Sequence, residues 1–167
     1  MHTGLYVVMG VAASGKSTIG ARLARSLDVP FIDGDDLHPA ANVERMAAGI
    51  PLTDEDRRPW LRAIAARLRD AKRVGQGLVV ACSALRRTYR DLLRTAGDAA
   101  VRFVYLKGNR TLLAERMTQR RGHYMPAALL DSQLAALEEP EPDEGAWVCD
   151  IGATPDAIVA ELVVRST

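Results

Sequence analysis

Residues 10–17 read Gly10-Val11-Ala12-Ala13-Ser14-Gly15-Lys16-Ser17, which fits the pattern G-x-x-x-x-G-K-[ST]. The segment follows an apolar run of strand length at 5–9 and precedes a segment with helical period at 17–27. In this setting, backbone N–H groups of the loop and of the helix N-terminus point at phosphate oxygens. The sequence therefore predicts a phosphate-binding loop that takes a nucleoside triphosphate.

The chemistry of this loop is divided among its positions. Lys16 supplies a mobile positive charge for the β- and γ-phosphates, and the Ser17 hydroxyl is a predicted magnesium ligand. The remaining contacts to the triphosphate are expected from the backbone of the loop and of the first helical turn. The predicted nucleotide-binding residues are Gly10, Ala13, Ser14, Gly15, Lys16, Ser17 and Thr18.

Apolar runs of strand length alternate with segments of helical period along the chain, which is typical of an α/β protein with a parallel sheet. The predicted strands are 5–9, 31–33, 78–82, 101–106 and 147–151. The fourth run alternates because Arg102 interrupts it, which favours a place near the sheet edge. The predicted helices are 17–27, 60–74, 87–95, 110–119, 126–137 and a last one that starts at Thr154-Pro155.

Length and composition limit the classes of protein that the chain can be. Its 167 residues, 48% apolar and 26% charged, predict one globular domain over 1–167. A net charge of +1 argues against a nucleic-acid or membrane-surface binder. No apolar run reaches the roughly 18–20 residues that span a bilayer. Cys82 and Cys149 lie in predicted strands, where we expect buried free thiols and a reducing cytoplasm.

Carboxylates follow the second predicted strand, in the segment from Asp33 to Asp36. Beside a phosphate loop, such groups serve the water shell of the metal or deprotonate an acceptor hydroxyl. A solvated cluster that caps a helix would have the same sequence. The third strand ends at Cys82-Ser83 without an acid, which favours Asp33 for the metal side and leaves Asp35 for the acceptor.

Arginines form three groups whose roles the residues alone leave open. A phosphoryl-transfer enzyme needs cations over the migrating phosphoryl group and a clamp for an anionic substrate. Each group could equally be a solvated face. The groups are Arg57 and Arg58 at a predicted helix start, where the helix dipole disfavours cations; Arg86, Arg90 and Arg94 on one helix face; and Arg116, Arg120 and Arg121 around a helix end.

Taken together, these segments resemble the gluconokinases among the P-loop small-molecule kinases. They occur in the order of the family over nearly the whole chain. Besides the phosphate loop, the matching segments are 33–39 with Asn42, then Met46, 49–52, Asp54 and 56–61, then 82–86 with 89–93, and then Leu106, Arg116, Arg120, 122–125, Gln133 and 137–138.

The resemblance implies a P-loop NTPase fold of the adenylate-kinase type. Its five-stranded parallel sheet would have the order 2-3-1-4-5, with a mobile lid over approximately 116–133. The implied activity is ATP- and Mg²⁺-dependent phosphorylation of D-gluconate at its 6-hydroxyl, which gives 6-phospho-D-gluconate and ADP. A cytoplasmic homodimer is expected, with gluconate as partner and neither nucleic acid nor membrane.

The resemblance also implies roles for single residues. Asp33 would order the waters of the metal, while Asp35 would accept the proton of the 6-hydroxyl. His38 would bind a hydroxyl group, and gluconate would be held by arginines, with the one that holds its carboxylate left open. These arginines are Arg57, Arg86 and Arg90; Arg116 and Arg120 would approach the γ-phosphoryl group from the lid.

Two alternatives and one departure accompany the resemblance. A shikimate-kinase-like enzyme would carry a Gly-rich turn where this chain has Cys82-Ser83-Ala84-Leu85. A catalytically silent nucleotide-binding module would lack an acceptor-site acid or the lid arginines, and this chain has both.

The departure is Ala12-Ala13, where the family usually has Ser-Gly, so Ala13 must accept the backbone angles that the loop sets.

Overall fold

A computed structural model describes residues 2–96, 100–119 and 127–167. The strands are β1 (Leu5–Met9), β2 (Phe31–Asp33), β3 (Leu78–Ala81), β4 (Val101–Lys107) and β5 (Trp147–Asp150). The α-helices are α1 (Lys16–Leu27), α2 (Ala40–Ala47), α3 (Asp54–Arg73), α4 (Arg87–Ala96), α5 (Arg110–Gln119), α6 (Ala127–Ala136) and α7 (Pro155–Arg165). Short 3₁₀ turns span Gly34–Leu37 and Pro142–Glu144.

The strands form one parallel sheet in the order β2-β3-β1-β4-β5, which confirms the predicted topology. Strand β4 lies next to the edge strand β5 and pairs with β1 on its other side, in agreement with the place near the sheet edge that its sequence favours. Arg102 is tolerated there because its guanidinium stacks 4.8 Å from the Trp147 ring and donates to the Gly145 carbonyl.

Helices cover both faces of the sheet, which explains why the strands are almost continuously apolar. Alternate residues of β1 point to opposite sides: Val8 packs with Leu23 and Leu162, and Val7 packs in a second cluster with Ile64. Both cysteines are buried and free, as predicted. Burial raises the pKa of Cys82 to about 12, so this thiol is not a nucleophile at neutral pH.

Two helices differ from the prediction. Helix α3 begins at Asp54, six residues before the predicted start, because Thr53 and Asp56 form a reciprocal capping box with bonds of 3.1 and 3.0 Å. Arg57 therefore comes after the three acidic residues of the first turn and is not the residue at which the helix begins. Helix α2 was not predicted, since it is short and its apolar side chains Val43 and Met46 are exposed.

Within the described part of the chain, no helix is long and apolar enough to cross a membrane. The parallel sheet instead brings the carboxyl ends of β1, β2 and β3 to one edge. The phosphate loop, the Asp33–Asp36 turn and the segment 82–85 all start at that edge. In open α/β sheets this is where ligands bind.

Candidate active site

The phosphate loop joins β1 to α1 and curls over its own backbone. The N–H of Gly10 donates to the Ser83 carbonyl at 3.3 Å, which ties the loop to the end of β3. The Val11 carbonyl accepts from the Ser14 N–H at 3.2 Å and from the Lys16 ammonium at 3.1 Å. Lys16 is also the first residue of α1, so the unpaired N–H groups of the first turn and the Lys16 charge face the same space.

Ala13 has a left-handed backbone, with φ of +66°. A residue with a Cβ atom pays roughly 1–2 kcal/mol for this conformation, whereas glycine adopts it freely. This is the position at which the resemblance leads one to expect glycine. The loop thus keeps its shape at a modest local cost.

Ser17 and Asp33 meet at the foot of the loop. The Ser17 hydroxyl donates to Asp33 Oδ2 at 2.8 Å, and Asp33 Oδ1 accepts from the Asp35 N–H at 3.1 Å. Hydroxyl and carboxylate oxygens are the donors that Mg²⁺ prefers, and it takes most of its other ligands from phosphate and water. The pair fits that metal. Consistent with this, the described residues contain no cluster of three or more His, Cys, Asp or Glu side chains that could form an all-protein metal cage.

The turn that carries Asp35 is held tightly against the sheet. Gly34 allows this approach, because a Cβ atom there would lie 2.6 Å from the Ala81 carbonyl oxygen. The Trp60 indole N–H donates to the Gly34 carbonyl at 2.7 Å. Asp33 and Asp35 are therefore fixed relative to β3 by a helix that starts twenty residues later in the chain.

Asp35 has a raised pKa. The main cause is desolvation of the carboxylate by the surrounding protein, although part of the Asp35 side chain is exposed to solvent. The Asp33 charge raises the pKa further, whereas Lys16 and His38 lower it. An ammonium group, an imidazole and a second carboxylate thus surround one acid. That environment brings the pKa of a carboxylate closer to the range of a general base.

His38 stacks on Trp60, with ring centroids 4.3 Å apart and planes inclined by 15°. Burial lowers the pKa of His38; the Asp35 charge opposes this effect and the Arg57 charge reinforces it. The imidazole is consequently neutral at physiological pH. His38 thus interacts electrostatically with Asp35 on one side and with Arg57 on the other. These three groups form a series that leads away from the phosphate loop.

Arg57 lies beside Tyr89. Its Nη1 donates to the Tyr89 hydroxyl at 3.3 Å and lies 3.6 Å from Asp54 Oδ1, while the Tyr89 hydroxyl donates to Asp54. Arg86 is exposed, and its charge together with that of Arg57 acts on Tyr89. The structure therefore brings Arg57 and Arg86 to the same tyrosine.

Arg90 has different surroundings, although it belongs to the same predicted group. Its side chain is fully buried and pairs with Glu144, with Nε–Oε1 and Nη2–Oε2 distances of 2.7 and 3.1 Å. Its Nη1 donates to the Ala84 carbonyl at 2.8 Å. This geometry argues against the predicted contact of Arg90 with substrate: the guanidinium connects α4 to the 82–85 segment and the Pro142–Glu144 turn.

Arg116 lies beside the phosphate loop. It donates to the Ile151 carbonyl and lines a cavity of about 220 Å³. The other residues around the cavity are Ala13, Gly15, Thr18, Ile19, Ala153, Pro155 and Ile158. None of the predicted acceptor residues lines it. Arg120, the second predicted lid arginine, lies outside the described residues.

Sequence reasoning assigned no role to three residues that shape the site: Trp60, Asn42 and Gln133. Trp60 holds the Gly34 carbonyl and the His38 ring, Asn42 bonds to His38, and Gln133 Oε1 accepts from the Ala12 N–H at 2.6 Å. All three belong to the matching segments, but only the folded chain shows what they touch.

The chain is similar to known proteins over nearly its whole length. A family model described as an AAA domain matches residues 5–140. The gluconokinase of Gluconobacter oxydans is 46% identical over 94% of this chain and 88% of its own length, and the thermoresistant gluconokinase of Escherichia coli is 41% identical over 95% and 91%. The crystal structure of a gluconokinase from Sinorhizobium meliloti superposes with a TM-score of 0.90 at 45% identity, covering 98% of this chain and 91% of that one.

Proposed function

The chain belongs to the gluconokinase family and is an ATP-dependent kinase of gluconate, and we propose that its acceptor is the 6-hydroxyl, activated by Asp35. The products would be 6-phospho-D-gluconate and ADP. The shikimate-kinase-like and catalytically silent alternatives are not favoured by relatives of this identity and coverage. The remaining question is how the residues of the site divide the reaction.

ATP would bind with its triphosphate on the phosphate loop and its nucleoside in the cavity beside Arg116. Thr18 and Ile158 line that cavity, and Ala13 and Gly15 connect it to the loop. A volume of about 220 Å³ suits a group of purine size. We therefore place Arg116 against the nucleoside, which differs from its predicted approach to the γ-phosphoryl group; Arg120 keeps that predicted role.

Magnesium would be held by the Ser17 hydroxyl and, through water, by Asp33. The 2.8 Å contact between these side chains supports one shared site. When bound, the ion neutralises charge on the β- and γ-phosphates. Lys16 adds its own charge to the same oxygens once its ammonium leaves the Val11 carbonyl.

Gluconate would lie between Asp35 and the cations around Tyr89. The Asp35 carboxylate orients the 6-hydroxyl and takes its proton as the bond to phosphorus forms. His38 donates to a neighbouring oxygen of the polyol. Arg57 and Arg86 attract the carboxylate at the other end, and a planar guanidinium can hold it with two parallel hydrogen bonds.

The observation that carries this proposal is the pair of bonds that Asp33 accepts, one from the Ser17 hydroxyl at 2.8 Å and one from the Asp35 N–H at 3.1 Å. These bonds connect the phosphate loop to the turn that carries Asp35. The test is ADP release measured over gluconate, shikimate, nucleoside monophosphates and a control without acceptor. We expect turnover with gluconate alone, with the phosphate on carbon 6 by ³¹P NMR. Turnover with another acceptor, or ADP release without one, would overturn the proposal.

We further propose that the protein is a cytoplasmic homodimer whose lid spans approximately 116–133. The buried free thiols support a reducing compartment. Light scattering of the purified protein tests the dimer, for which a monomeric mass at micromolar concentration is the contrary result.

A further inference from the structure

Asn42 is the one buried residue that α2 contributes, with 4% of its surface exposed. The apolar residues of the same helix, Val43 and Met46, are 51% and 46% exposed. This pattern is the inverse of an amphipathic helix that packs on a core. Polar contacts, and not apolar burial, hold this part of α2 against the protein.

The contacts of Asn42 determine the orientation of its amide. Its Nδ2 lies 2.8 Å from the carbonyl oxygen of Asp56, an atom that can only accept. The NH₂ group must therefore face Asp56, and a flipped amide would bring two oxygens together. The same Nδ2 lies 3.2 Å from His38 Nδ1 and offers it the second hydrogen.

This orientation determines the tautomer of His38. An Nδ1 atom that receives a hydrogen bond cannot carry a proton in the neutral ring, so the proton resides on Nε2. The stack on Trp60 fixes the plane of the ring at the same time. The Nε2–H becomes a donor of fixed direction beside Asp35, which acts on His38 electrostatically.

We propose that Asn42 is a positioning residue that holds His38 as an Nε2–H donor to a hydroxyl oxygen of the acceptor substrate. The proposal rests on the proposed function, because it assigns the neighbour of the reacting hydroxyl. Asp35 then accepts from one oxygen of the polyol while His38 donates to the next. A matched acceptor and donor on adjacent oxygens select a polyhydroxylated chain over an isolated alcohol.

The first test reads the tautomer directly in the free protein, without substrate. Long-range ¹H–¹⁵N NMR of the imidazole, assigned by loss of the signal in His38→Gln, should show Nδ1 unprotonated and Nε2 protonated. Asn42→Asp puts an acceptor opposite Nδ1 and should move the proton there. Asn42→Ser removes the amide without adding charge and should leave a mixture of tautomers. A wild-type protein with the proton on Nδ1 overturns the proposal.

The second test uses kinetics and separates Asn42 from a structural role. One neutral hydrogen bond corresponds to about a two- to tenfold change, so Asn42→Ser should raise KM for gluconate by that factor and leave KM for ATP unchanged. Glu44→Gln, on the exposed part of α2, is the matched control. An equal rise in both KM values, or none in that for gluconate, would contradict the assignment.

A double-mutant cycle completes the design. His38→Gln keeps an N–H donor near the Nε2 position but needs no partner at Nδ1. In that background Asn42→Ser should have little further effect on KM for gluconate, whereas a purely structural role predicts that the two effects add. The NMR result does not depend on turnover. If the tautomer is as expected and gluconate is not phosphorylated, the proposed function fails and the tautomer assignment stands.

Discussion

Gln133, in α6, accepts a hydrogen bond from the backbone N–H of Ala12 at 2.6 Å, so the helix at the end of the predicted lid touches the phosphate loop directly. At the other end of the predicted lid, Arg116 donates to the Ile151 carbonyl beside the nucleotide cavity. Both described ends of this segment thus contact the place where ATP would bind. A ligand on the phosphate loop can therefore influence the segment through the bond between Ala12 and Gln133.

Replacement of Gln133 should weaken that connection. Gln133→Leu removes the acceptor for the Ala12 N–H, and we expect KM for ATP to rise about two- to tenfold with little change in KM for gluconate. Gln133→Glu keeps an acceptor but adds a negative charge beside the triphosphate, so its KM for ATP should rise further. Initial rates at varied ATP measure both effects, with Ser132→Ala as control. Equal KM values in Gln133→Leu and wild type would contradict the connection.

Lys16→Ala should nearly abolish turnover because it removes the only side-chain charge that the phosphate loop itself supplies to the β- and γ-phosphates. The fold should survive, since the Lys16 side chain is only partly buried and lies outside both apolar clusters. Turnover at saturating ATP and a thermal unfolding scan test the two statements, and Lys72→Ala in α3 is the control. A folded variant with near-normal turnover would refute the assignment of the loop.

Asp35 and Asp33 should respond differently to the same substitution. Asp35→Asn removes the base and should lower kcat by about 10²–10⁴-fold with nucleotide affinity unchanged. Asp33→Asn should instead raise the magnesium concentration required, because Asp33 contacts Ser17. Asp36→Asn, next to Asp35 and exposed, is the matched control. Rescue of Asp35→Asn by excess magnesium would show that the division is wrong.

The raised pKa of Asp35 has a second consequence, in stability. When the pKa of a carboxyl is higher in the folded protein than in the unfolded chain, the protonated group favours the folded state at low pH. This stabilisation is lost as the pH rises through the pKa of the folded protein. Wild-type protein therefore carries a penalty at neutral pH that Asp35→Asn removes. We expect this variant to unfold at a higher temperature at pH 7 while it loses turnover. A lower Tm would mean that Asp35 supports the fold.

The parts of the protein that were predictable are those that depend on neighbours in sequence. The phosphate loop and the strands were predicted from such local patterns, whereas the order of the sheet was implied by the family resemblance. Arg90 was predicted to hold the substrate, whereas in the structure it is buried and paired, because its spacing to Arg94 indicates a helix face but not what covers that face. Its partner, Glu144, comes from a loop 54 residues later.

Local chemistry also misled the prediction at particular residues. The predicted helix started at residue 60, but the capping box of Thr53 and Asp56 starts it at Asp54 and leaves Pro59 inside it. Asn42 belongs to the segments that match the family, but its sequence context did not indicate a buried contact, because a polar residue in a short helix is usually solvated. Its burial depends on the Asp56 carbonyl and the His38 ring, which only the tertiary fold brings to it.

Glu144 offers a prediction about acid stability. Its side chain is fully buried between Arg90 and Arg94; burial alone would raise its pKa, but the bonds from these arginines hold the pKa at about 2, against 4.5 for the ordinary group. A carboxyl with a depressed pKa contributes stability above its unfolded value, and this contribution is lost as the pH falls from about 4.5 to about 2. The shift corresponds to about 3 kcal/mol.

Glu144→Gln tests this statement because it resembles the protonated side chain at every pH. At pH 7 the variant should lose about 3–5 kcal/mol of unfolding free energy, since Arg90 then stays buried without its charged partner. Below pH 4.5 the wild type should lose stability faster than the variant, and the two curves should converge toward pH 2. Urea unfolding between pH 7 and pH 3 measures the difference.

Glu141→Gln is the control, because Glu141 pairs with Arg87 at an exposed site and its removal should cost less than about 1 kcal/mol. A constant gap between wild type and Glu144→Gln across this range would show that the depressed pKa of Glu144 is not what stabilises the buried pair.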